Sequence, residues 1–95
     1  MSDNTFIKDV DAELDFAFDW NDADEPWLET GETISSYTLT VPAGITNTAD
    51  SQASGKVTVW LSGGTDGTWY DITCKIVTSL GRTDERTMHI KVVER

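Results

Sequence analysis

The chain has 95 residues, 38% hydrophobic and 25% charged, a size and balance that predict one globular domain around one modest core. Seventeen acids against seven bases give a formal charge of −10, and residues 1–32 account for all of it: eleven Asp and Glu stand there against Lys8 alone, while residues 33–95 balance six acids with six bases. Tracking phosphates or an anionic membrane needs clustered Lys and Arg, so the expectation is no nucleic acid and no membrane among the partners.

Met1–Thr5 lacks the basic start and apolar stretch of a secretory leader, and no apolar run exceeds three residues, too few for a membrane-crossing helix. Cys74 stands alone and forms no internal disulfide, which fits folding in a reducing cytosol.

In chain order, residues 1–7 read as a flexible arm, because nothing in them would hold it down, and the domain is expected over 8–95. Leu14, Phe16, Phe18 and Trp20 alternate with Asp15, Ala17 and Asp19, the period of a strand with one buried and one wet face. Tyr37, Leu39 and Val41 alternate with Thr38 and Thr40 until Pro42 ends the pairing. A weaker strand is expected over 45–49, then a polar loop over 50–55. Val57, Val59 and Leu61 alternate with Thr58, Trp60 and Ser62. Ser62–Gly67 then reads as a hairpin turn, with Gly63 and Gly64 supplying positive φ. Tyr70, Ile72, Cys74 and Ile76 mark the next strand, Leu80–Thr83 a second hairpin, and Met88, Ile90 and Val92 the last strand.

About seven short strands and no clear helix predict an all-β, immunoglobulin-like sandwich in a single domain. Tyr70, entering its strand after a Gly-containing turn, suits the corner tyrosine of that fold.

Catalysis finds little support in these residues. The alternation turns Cys74 to the core and His89 outward, so the one thiol and the one imidazole point to opposite sides. Two such residues do not build a zinc site, and neither Asp9, Asp11 and Glu13 nor Asp22, Asp24 and Glu25 follow a calcium-loop pattern. Ser62–Gly67 lacks the Lys and the following helix of a phosphate loop. Neither a metal nor a cofactor is expected, and no enzyme activity.

The exposed aromatics say more. Trp60 and Trp69 point away from the core on this phase, and Trp27 sits beside Pro26 in the acidic loop. Trp is enriched at interface centres, and Asp22, Asp24 and Glu25 would steer a basic partner. The competing reading, a loop or Arg side chain covering each ring, weighs equally for Trp60 and less for Trp27.

Thr58-Val59-Trp60-Leu61-Ser62-Gly63-Gly64-Thr65, followed by Gly67-Thr68-Trp69-Tyr70, resembles small virion proteins of tailed bacteriophages labelled fibre–tail adaptors. Leu14-Asp15-Phe16, Asp19-Trp20, Trp27-Leu28, Gly31-Glu32-Thr33-Ile34, Val41-Pro42 and Gly81–Arg86 follow in the same order, so the likeness spans residues 8–95. Val10 stands where the family shows Pro. The resemblance implies a non-enzymatic structural part of the virion, assembled in the host cytoplasm and present in multiple copies on a symmetric assembly. It would join or decorate capsid, neck or tail-fibre parts. The rival expectation is a carbohydrate-binding sandwich for adhesion to the host cell, with Trp60 or Trp69 stacking on sugar rings.

Overall fold

The computed structural model describes residues 5–21 and 27–94. Seven strands follow one another: β1 (Thr5–Asp9), β2 (Leu14–Asp19), β3 (Ile34–Thr40), β4 (Ile45–Ala53), β5 (Lys56–Gly63), β6 (Thr68–Thr78) and β7 (Thr83–Val93). They form a four-stranded sheet in the order β1-β7-β6-β3 and a three-stranded sheet in the order β2-β5-β4. All neighbours are antiparallel except β1, which runs parallel to β7 with Thr5 opposite His89 and Asp9 opposite Val93. A first strand parallel to the last, and second, fifth and fourth strands forming the facing sheet, is an immunoglobulin-like sandwich.

The core lies between the sheets, where the pleat turns every second side chain inward. Phe16 and Phe18 of β2 and Val57, Val59 and Leu61 of β5 face Ile72, Cys74 and Ile76 of β6 and Met88, Ile90 and Val92 of β7. Trp20 and Leu28 close one end, Ile45 and Tyr70 the other.

Three features differ from the sequence expectation. Residues 5–7, expected in the arm, are part of β1, which pairs along the edge of β7, and the Phe6 ring meets Phe16 edge-on at 5.4 Å. Residues 1–4 of the expected arm lie outside the described residues. β4 runs through Ala53, so most of the expected polar loop is strand, and the turn is only Ser54-Gly55, both at positive φ. Such a two-residue turn matches the right-handed twist of the strands that it joins.

The third difference is topological. Ser62–Gly67 is not a hairpin: it carries the chain from β5 in one sheet to β6 in the other. Gly63 and Gly64 do have positive φ, 77° and 102°, but the turn spans the sandwich. Leu80–Thr83, by contrast, closes a true β6–β7 hairpin, with Thr78 N donating to Arg82 O at 2.8 Å.

Candidate functional site

The β2–β3 loop, the β4–β5 turn and the β6–β7 hairpin meet at one end of the sandwich. Trp20 N donates to Gly55 O at 3.0 Å and Ser79 N to Thr33 O at 2.8 Å. Trp20 is fully buried there, its Nε1 donating to Asp84 Oδ2 at 2.7 Å. Arg86 lies over the Trp20 ring at 4.9 Å and donates from Nη1 to Asp19 O at 2.8 Å. Asp84 and Arg86, both half-buried on β7, pair with each other at 3.5 Å and bind the indole from either side.

A second cluster holds the loop's far side. Arg82 donates from Nε to Glu32 Oε2 at 3.0 Å, from Nη2 to Glu32 Oε1, and from Nη2 to Trp27 O at 3.2 Å. Its guanidinium lies 4.2 Å from the centre of the Trp27 ring. The Glu32 side chain is buried, and Glu29 N donates to its Oε1 at 2.8 Å. The Arg82 hydrogen bonds hold the Glu32 carboxyl down to about 2 against the opposing pull of burial, with Thr78 and Glu29 N assisting. Trp27 is therefore covered by an arginine and packed against the core rather than standing free. Asp22, Asp24 and Glu25 lie outside the described residues.

The other two tryptophans occupy opposite faces of the molecule. Trp60 lies at the centre of the three-stranded sheet, 41% exposed, with Asp15 and Ala49 opposite it on β2 and β4. Its outward neighbours Ala17, Ser51 and Thr58 are short, so the indole stands above a flat platform. Trp69, 53% exposed, belongs to the four-stranded sheet. Lys91 lies opposite it, its Nζ 5.9 Å from the ring centre, and Ile7 flanks Lys91 on β1. The same face carries Asp71 bound to His89 Nδ1 at 2.6 Å and Thr73 bound to Thr87 at 3.0 Å. The two indoles are nine positions apart in sequence, yet they stand on different sheets.

The crossing between the sheets is held by residues of different kinds. Thr65 N donates to the Tyr70 hydroxyl at 3.0 Å, the corner arrangement that ties a strand entry to the turn before it. Gly64 packs so closely on β7 that a Cβ would stand 2.6 Å from Val92 Cγ2. Gly63 O accepts from Lys8 Nζ at 2.8 Å, and the same ammonium donates to Asp9 O at 2.8 Å. Lys8 is fully buried, and loss of water pushes its pKa down while Asp9 and Asp11 partly restore it. Sequence reasoning missed Lys8; a lone base inside the acid-rich third was the available signal.

Cys74 is buried, and burial pushes its thiol up to about 12, so it is a packing residue rather than a nucleophile. No group of three or more His, Cys, Asp or Glu suited to a metal ion occurs among the described residues.

A family model described as podophage GP4 fiber-tail adaptor protein gp77 matches residues 8–91. None of the curated proteins compared with the chain matches it.

Proposed function

The chain belongs to the podophage GP4 fiber-tail adaptor family, and on that premise we propose that it joins a tail component to a fibre component by protein–protein contact alone, without catalysing a reaction. The observation that carries this reading is the placement of Trp60 and Trp69 on opposite outer faces, both substantially exposed. An adaptor has to hold two partners at once, and a sandwich with one exposed indole on each sheet has two separate surfaces to do so. Trp supplies a large rigid contact at low entropic cost, which is why it dominates interface energetics. Trp27 is held under Arg82, and the acids that precede it in sequence, Asp22, Asp24 and Glu25, would steer a basic partner. The fibre–tail junction is the place in the particle that the family favours over capsid or neck.

Binding of Trp60→Ala and Trp69→Ala to the purified tail component and to the purified fibre component, measured separately, tests the reading. Each variant is expected to lose about 30-fold or more in affinity for one partner and to keep the other, a loss of about 2 kcal/mol. Two variants that both bind both partners as the unaltered chain does would overturn it.

A further inference from the structure

From Thr33 to Gly55 the chain carries one charged residue, Asp50, although its net charge is −10. That stretch contains β3 and β4, which are edge strands of the two sheets. The Asp50 carboxylate is already engaged, accepting from Tyr37 Oη at 2.5 Å and from Asn47 Nδ2 at 3.0 Å. One long side of the sandwich is thus free of unengaged charge. Two copies of so acidic a protein repel one another in most orientations, and this side is where the repulsion is least.

β4 is nine residues long and has β5 as its one partner strand. Ser54-Gly55 makes Ala53 and Lys56 a hydrogen-bonded pair, so alternation directs Ala49 and Ser51 to β5 as well. Asp50 and Gln52 therefore turn their backbone N–H and C=O groups to the open edge. An exposed edge with unpaired groups and no guarding charge is a template for another strand.

We propose that β4 pairs antiparallel with β4 of a second copy of this chain, across a two-fold axis at Ser51. That register places Asp50 of each copy opposite Gln52 of the other, the two positions whose backbone groups point outward. It sets a carboxylate beside an amide instead of a second carboxylate. On the outer face Ser51 meets Ser51, and Ala49 meets Ala53, so no bulk obstructs the approach. The result is a continuous six-stranded sheet with both Trp60 side chains on one face, separated laterally by about 14 Å, three strand spacings. The opposite edge does not allow the same pairing: β2 about Ala17 would set Asp15 against Asp19, like charge against like.

Sedimentation velocity of the full chain tests this. The interface is small, so a mass twice that of one chain is expected to emerge as concentration rises from about 10 µM to about 1 mM. The doubled fraction is expected to increase between about 0.1 M and 1 M salt, where the screening length falls from about 10 Å to about 3 Å. Ser51→Lys reduces the net negative charge yet sets two ammonium groups face to face, and it is expected to be monomeric throughout. Gln52→Pro removes an outward N–H that β5 does not use, and is expected to behave likewise. Ala17→Lys, on the other edge, is expected to dimerise at least as well as the unaltered chain. A single-chain mass under every condition, a dimer that weakens with salt, or a dimer unaffected by both β4 substitutions would overturn the proposal.

Discussion

Arg82 covers the Trp27 ring at 4.2 Å although 55 positions separate the two residues, and the same guanidinium grips the buried Glu32 carboxylate. One side chain of the β6–β7 hairpin thereby fixes both ends of the segment 27–32, which follows the acid-rich stretch in sequence.

The clamp has a pH signature. In the unfolded chain Glu32 takes up a proton near 4.5, whereas in the folded chain Arg82 holds it down to about 2. Between those values the unfolded state binds more protons, so stability present above about 4.5 is lost as the pH falls towards 2. Thermal melts across this window are expected to show a shallower loss for Glu32→Gln than for the unaltered chain, from a lower starting point at pH 7. Identical slopes would mean that Glu32 titrates as a solvated carboxylate.

The crossing turn discriminates between its two glycines. A Cβ at Gly63 meets nothing closer than Gly44 O at 3.9 Å, so Gly63→Ala pays for the left-handed backbone alone, about 1 kcal/mol. At Gly64 the Cβ also collides with Val92, which adds roughly 1–3 kcal/mol of overpacking. Urea unfolding midpoints are expected to fall in the order unaltered, Gly63→Ala, Gly64→Ala. Equal midpoints for the two variants would show that Val92 yields without cost.

Lys8→Met keeps an unbranched side chain one atom shorter and removes the donors. The carbonyls of Asp9 and Gly63 then lose a partner, at a cost of about 1–3 kcal/mol. Hydrogen exchange is expected to accelerate first over residues 5–9, since Lys8 fastens β1 to the crossing turn. Unchanged protection there would assign the hold on β1 to its ladder with β7 alone.

Acid-rich steering predicts a kinetic effect opposite in sign to that on self-association. The association rate with a basic partner component, read by stopped-flow fluorescence, is expected to fall steeply between about 0.1 M and 1 M salt. A salt-independent rate would leave the indole contacts as the driver of binding.

Strands whose inward positions are apolar were legible from period alone. Phe16 and Phe18, Val57 and Val59, and Ile72 to Ile76 each expose the alternation directly. β7 was legible only from Met88 onward, because the earlier positions in phase with it are the charged Asp84 and Arg86, half-buried against Trp20. β4 was obscured similarly: Asn47, Asp50 and Gln52 face the other sheet's edge, where Asp50 accepts from Tyr37 and from Asn47 Nδ2 and Gln52 donates to Ile34 O, while Asn47 Oδ1 is buried without a partner among the described residues. The glycines of Ser62–Gly67 announced positive φ, but a turn's dihedrals do not say which sheet the chain enters next. Of the three tryptophans read as partner-facing, the outward phase of Trp60 and Trp69 follows from their own strands. The cover over Trp27 comes from a distant arginine that no local pattern announces.

The parallel register of β1 and β7 has a mechanical consequence. A pull applied before Thr5 and after Val93 draws the two strands along their length in opposite directions, placing their shared ladder in shear. In that geometry the five register pairs resist together, whereas strands pulled apart from one end would release them one after another. Tension that enters through these two strands therefore meets the ladder in the direction in which all of its bonds share the load.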